Sequence, residues 1–281
     1  MHAISKLLSA GLSRLRVSKA FWLGLIFMFG MAVFAVLNQY FSSIEYGFET
    51  KLDNFVLGFA NIIPILAAVF CSLFLGTEYS DGTMRNKLVI GHSRAAVYLS
   101  SLIISIVAAL LMCLACVLGV CAVGIPLLGG LQIGLPHFFA MLAGSIMMVC
   151  AVCAILTAIC MLIPNKTIIA IVSILGMIGL LLLAIDISTR LTEPEFYPPS
   201  MLITVDGVVQ ASDEAVLNPN FLTGTKRAVY EYAYDILPTG QALQYASMRA
   251  EHLWQMPLYS LAIILISTLS GVFFFKRKDL K

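Results

Sequence analysis

The sequence predicts an all-α integral membrane protein of six transmembrane helices, with the N-terminus and C-terminus both cytoplasmic. Three observations predict it. Six apolar stretches are long enough to cross a hydrocarbon core of ~30 Å as helices. None of the six contains Asp, Glu, Lys or Arg. The basic residues between them fall unevenly on alternate sides of the membrane. Composition agrees: 11% of the 281 residues are charged and 60% are hydrophobic, whereas a soluble domain carries about 25% charged residues.

The stretches are Ala20–Leu37, Phe55–Leu75, Leu99–Val123, Phe138–Ile163, Thr167–Ile185 and Pro257–Phe275. Pro64, inside the second, predicts a kink whose freed backbone groups are met by neighbouring helices. Loop charge sets the orientation. With the N-terminus inside, twelve of the seventeen Lys and Arg residues lie on the cytoplasmic side, and twelve of the fifteen acids lie outside. Both termini on one side requires an even number of spans, which six satisfies.

Residues 2–19 precede the first span. Ile4, Leu7, Leu8, Leu12 and Leu15 recur at helical spacing with Lys6, Ser13 and Arg14 elsewhere on the wheel, the pattern of an amphipathic interfacial helix, with a frayed basic tail as the plainer alternative. The apolar run that follows is too long for a signal-peptide core. Asn38–Asn54 and Gly124–His137 are short outer connectors. Pro164-Asn165-Lys166 is an inner turn so tight that spans four and five form a helical hairpin; its glycosylation sequon faces the cytoplasm and is accidental.

Residues 186–256 form a large extracellular loop between spans five and six. Ile203–Gln210 predicts a β-hairpin turning at Asp206-Gly207. Thr225–Leu237 predicts an amphipathic helix, broken by Pro238, and Thr239–His252 a second one leading to Trp254 at the membrane boundary. Tyr230, Tyr232 and Tyr234 suit interfacial packing, with an aromatic patch for a substrate as the sharper alternative.

Several functions lack their chemistry. Ion-coupled carriers keep ionisable groups at membrane depth despite the insertion cost, and the six spans hold none. The four histidines stand beside no HExxH or comparable pattern. Cys113/Cys116 and Cys150/Cys153 are CxxC pairs inside apolar runs without a second ligand pair, so they read as packing residues. No P-loop exists: five residues rather than four separate Gly76 from Gly82, and Thr83 stands where the phosphate-binding lysine belongs. Asn61, Ser145, Thr157 and Ser173 either line a route through the spans or pack between helices.

Charge concentrates in the inner loop of residues 76–98. Asp81-Gly82 is a turn signal, and Asp81 or Thr83 is placed to cap a short helix from Met84 to Ile90. Met84 and Leu88 share one face of that helix, with Arg85 and Lys87 elsewhere. Gly91 suits the left-handed position that ends a helix, and Ser93 caps the next one through Arg94. A surface helix braced by turns could take force from a soluble partner. A loop that merely collects basic residues and turns accounts for the same pattern.

This block resembles the first cytoplasmic loop of type-2 ABC exporter permeases, in Glu78, Asp81-Gly82-Thr83, Arg85-Asn86-Lys87-Leu88, Gly91 and Arg94. The surface helix, six spans, large outer loop and basic tail from Phe274 fit the same plan, and so do Asn218-Pro-Asn, Gly224-Thr-Lys-Arg and Leu237-Pro-Thr-Gly-Gln. The resemblance implies a multi-pass subunit of a bacterial plasma membrane that is not itself an enzyme. Its implied partners are a nucleotide-binding ABC ATPase, a second copy or homologous permease, and the lipid bilayer, with no nucleic acid. The chain would carry no cofactor, ATP and Mg being bound by the ATPase. Glu78, Asp81, Gly82, Thr83, Met84, Arg85, Asn86, Lys87, Leu88, Gly91 and Arg94 would form the coupling loop that docks on the ATPase. The alternatives are a stand-alone secondary carrier and a non-transporting sensor or immunity protein.

Overall fold

A computed structural model describes residues 2–197, 202–205, 208–211 and 216–278. Six helical stretches are long and apolar enough to cross a membrane. An amphipathic helix α1 (His2–Val17) precedes them, and Ser18 alone separates it from α2 (Lys19–Tyr46). The Ser18 side chain accepts a hydrogen bond from the Phe21 N–H and caps α2. The second stretch is divided. A short α3 (Asp53–Val56) turns through Leu57-Gly58 into α4 (Phe59–Ser80). The break therefore falls before Pro64, which is buried inside α4. After a short α5 (Thr83–Val89) come α6 (Arg94–Leu128), α7 (Leu135–Leu162) and α8 (Lys166–Thr192). Asn165 caps α8 through the N–H groups of Thr167 and Ile168, so the predicted tight turn has a physical lock.

In the loop beyond α8, β1 (Phe196–Tyr197) pairs with β4 (Val216–Leu217), and β2 (Leu202–Val205) pairs with β3 (Val208–Ala211), both antiparallel. Val205 faces Val208 across the second ladder; the expected turn pair Asp206-Gly207 lies outside the described residues. Asn218 organises the base of this loop. Its amide donates to Glu193 at 2.7 Å and to the Pro194 carbonyl at 2.9 Å, and its oxygen accepts from the Tyr197 hydroxyl and the Asn220 N–H.

Two helices follow, α9 (Gly224–Ile236) and α10 (Pro238–Ala246), before α11 (Gln255–Arg277). Pro238 does more than break a helix: it opens α10 at the first turn, where its fixed φ fits and its missing N–H is harmless. The predicted second helix to His252 is shorter, ending at Ala246 with Met248 at φ +53. α10 is buried along nearly its whole length among α4, α7 and α8. Thr239 donates to the Leu180 carbonyl at 2.8 Å. Leu180 lies five residues, about 8 Å, inside the apolar stretch that ends at Ile185. α10 is therefore wedged among the spans.

Close helix approaches hold the bundle, as expected where lipid supplies no hydrophobic drive between helices. α2 packs along α6, and a Cβ at Gly119 would sit 2.8 Å from the Phe29 carbonyl oxygen. A Cβ at Gly271 would meet the Tyr98 ring and hydroxyl, and one at Gly144 would meet Tyr245. Ser145, Thr157 and Ser173 are fully buried between helices. All seven cysteines are free thiols, five of them buried.

Gly119→Val should lower stability by about 1–3 kcal/mol, the usual cost of overpacking, because the obstacle is backbone rather than a mobile side chain. Thermal unfolding in detergent checks this against Gly30→Val, whose Cβ would meet nothing within 4 Å and which should unfold like the parent.

Candidate functional site

One end of the bundle gathers α1, α5, the ends of α4, α7 and α11, and the starts of α6 and α8. We call it the terminal end. Its centre is Glu78, on the last turn of α4 and 4% exposed. Arg14 of α1 and Lys87 of α5 both bond to the Glu78 Oε1, the lysine at 2.7 Å. Arg14 also donates to the Phe74 carbonyl at 2.6 Å and the Thr77 hydroxyl at 2.5 Å, and its guanidinium lies over the Phe74 ring. One buried carboxylate thus ties the N-terminal helix and the short loop helix to span two. Burying a charge is tolerable only when it is paired in this way.

The expected helix cap is absent. Gly82 occupies the N-cap at φ +67, a conformation only glycine adopts cheaply, and no side chain caps α5. Thr83 instead donates back to the Glu78 carbonyl at 3.2 Å. Asp81 is exposed and accepts only from Ser80. Gly91, at φ +97, closes the helix as predicted, with its N–H on the Leu88 carbonyl and the His92 N–H on that of Lys87. Met84 is buried and Leu88 packs on the core. Arg85, Asn86, Val89 and Ile90 face outward, and Val89 and Ile90 are each 78% exposed. Val89 and Ile90 thus stand displayed at the end of a helix whose other face is anchored.

Arg94 belongs to a different group. It donates to the carbonyls of Phe275, at 2.9 Å, and Lys278, closing the C-terminus of α11. Lys278 reaches the Met161 carbonyl at 3.1 Å and lies over the Tyr79 ring, while the Tyr79 hydroxyl bonds the same carbonyl at 2.5 Å. Cationic side chains thereby occupy the carbonyl-rich ends of α7 and α11. Burial lowers the Lys278 pKa to about 8. Ser93 caps α6 through the Ala96 N–H.

At the far end, α9, α10 and the tips of α4 and α8 enclose a polar cavity of about 370 Å³. Asp235, 4% exposed, accepts from Gln244 at 2.9 Å and meets the His252 Nδ1 at 2.8 Å. Gln241 donates to the carbonyls of Asp235 and Met256 and accepts from Ser260 at 2.6 Å. Asn61 and Tyr234 line this cavity, with Tyr232 exposed outside it. Among the described residues no group of His, Cys, Asp or Glu could hold a metal ion.

The sequence-predicted residues thus divide. Glu78, Met84, Lys87 and Leu88 face the bundle; Asp81, Thr83, Arg85 and Asn86 are exposed, Thr83 with its hydroxyl turned back to the Glu78 carbonyl; Arg94 serves α11. The reading of the sequence missed Arg14, Lys278 and the Asp235–His252 contact, all of which depend on long-range approach. The one local signal was an acid placed three residues past an apolar run.

A family model for ABC-2 family transporter proteins matches residues 7–183, well over half of the chain. The protein belongs to the ABC-2 transporter family. The match runs from α1 through most of α8 and includes the whole Glu78 cluster. Members are membrane transport components that typically work with an ATPase subunit. No curated protein matches the chain. In this ABC-2 protein the matched region therefore contains the anchored helix α5 with its displayed apolar tip, and the resemblance read from residues 76–94 holds at family level.

Glu78→Gln should cost about 1–3 kcal/mol, less than the ~3–5 of a fully buried pair because Arg14 and Lys87 keep some solvent. In a double-mutant cycle with Lys87→Met the two losses should fall short of additive; additivity would mean that the contact carries no energy. The Lys278 ammonium is disfavoured in the folded chain, so the unfolded state binds more protons between pH 8 and the ordinary lysine range. Stability relative to Lys278→Met should accordingly rise with pH across that window, and a flat difference in thermal unfolding would remove burial as the cause.

Proposed function

We propose that this protein is the membrane subunit of an ATP-binding cassette exporter, moving a substrate out across a bacterial plasma membrane on ATP hydrolysed by a separate chain. The observation that carries the proposal is α5: its inner face is fixed to α1 and α4 through Glu78, while Arg85, Asn86, Val89 and Ile90 are presented outward. A helix held rigidly by one face and displayed by the other can pass a push from a docked partner into the spans.

On this reading the terminal end is cytoplasmic, α1 lies in the inner interface, and residues 186–256 form the extracellular loop. The Lys/Arg distribution supports that orientation. ATP and Mg are bound by the partner ATPase, and two permease chains complete the transporter. Closure of the ATPase pair moves α5; α4 and α1 follow through Glu78, and access switches outward. The far-end hairpin α9–α10, wedged between α4 and α8, is placed to respond. A secondary carrier has less support, since the spans hold no ionisable group.

Arg85→Glu and a Val89→Asp/Ile90→Asp pair should reduce substrate-stimulated ATP hydrolysis of the reconstituted complex at least tenfold, with membrane insertion unchanged. Transport by the purified chain in vesicles without any ATPase would overturn the proposal.

A further inference from the structure

The elbow between α1 and α2 opens onto two cavities that meet. One, of about 400 Å³, lies at the terminal end against Arg14, Ser18, Thr77, Asp81 and Lys166. The other, of about 460 Å³, is a groove between α2 and α4 walled by Leu23, Phe27, Leu66 and Phe70. Ala20 and Leu73 line both. The space therefore begins polar at the membrane boundary and runs about 10 Å, the length of seven helical residues, into the apolar zone.

The polar end has unspent donors. Lys166 makes no ion pair among the described residues, and its stem lies against Gly76, where a Cβ would come within 3.0 Å. The Ser18 hydroxyl accepts from Phe21 and makes no donor bond there. Arg14, by contrast, is committed to Glu78, Phe74 and Thr77. An ammonium and a hydroxyl at the surface, above a greasy slot open to the bilayer, match a phosphate carried on an acyl chain. A soluble anion would have no use for the slot.

We infer that this groove binds an anionic phospholipid of the leaflet on the terminal side, its phosphate at Lys166 and Ser18 and one acyl chain between α2 and α4. Because the phosphate sits beside Arg14 and Thr77, the lipid abuts the cluster that holds α5. The inference does not depend on an ATPase partner, only on the chain spanning a bilayer.

Trp22, 52% exposed on α2 and next in the chain to the groove residue Leu23, reports on lipid at this face once Trp254, the other tryptophan, is replaced by phenylalanine. The Trp254→Phe protein would be reconstituted in vesicles containing brominated phosphatidylglycerol or brominated phosphatidylcholine, and quenching measured. Brominated phosphatidylglycerol should be favoured about fivefold, the ratio set by ~1 kcal/mol per basic residue near the surface. Lys166→Ala should bring the ratio near one and Lys166→Arg should restore it. Ala20→Phe, which fills the junction, should reduce quenching by both lipids. Lys276→Ala removes the same charge away from the groove and should leave the preference intact. Equal quenching by the two lipids in the parent, an equal loss in Lys276→Ala, or a Trp22 shielded from both lipids by a second permease copy would each overturn the inference.

Discussion

At the terminal end of this ABC-2 protein, the N-terminal helix and the loop helix are both held by one carboxylate. Glu78 sits on the last turn of span two, almost without solvent, and its Oε1 serves both Arg14 and Lys87. A charge buried there without cations would cost several kcal/mol. With them it becomes a three-way joint between elements 64 and nine residues apart in sequence. The joint is asymmetric. Its anion is buried, while both cations retain some exposure, 35% and 25% of their side chains. The cations can therefore adjust with their helices, and the acid on the span cannot.

Beside this joint stands a second one of different chemistry. Arg94 and Lys278 spend their donors on backbone carbonyls at the ends of α7 and α11. The first joint fixes the start of the charged loop to span two; the second fixes its end to span six and span four. Between them, residues 82–91 are tied to span two through Lys87 and Glu78 and packed on the bundle by the buried Met84. The exporter reading adds a partner to push on α5.

Much of this fold is legible in the sequence because the bilayer sets a length and forbids unpaired charge. Six uncharged stretches of about 20 residues leave little choice. Ser93 and Gly91 announce their caps through local chemistry that needs no neighbour. Glu78 could be singled out but not its partners, since nothing in residues 76–94 names a residue on α1. Pro238 looked like a terminator because proline both stops and starts helices. Thr239, Gln241 and Gln244 lie in the stretch that reads as a second amphipathic helix. In the fold they bond to Leu180, Met256, Ser260 and Asp235, and a segment whose polar groups find such partners has no need of water.

The same accounting explains why the middle of the bundle is chemically quiet. Its polar side chains are small hydroxyls, and those of Ser105, Thr157 and Ser173 are buried without a hydrogen-bond partner. Each costs far less than an ion would, and each leaves room for helices to approach. The charged interactions lie instead at the two ends: Glu78 with its cations at one, Asp235 with His252 and Gln244 at the other. α4 and α8 connect these ends, lining the far cavity through Asn61 and Ser188 and the terminal one through Thr77 and Lys166. A force entering at the terminal end therefore has two continuous helices along which to reach the far cavity, with Asp186, two residues before Ser188, the one charged group between.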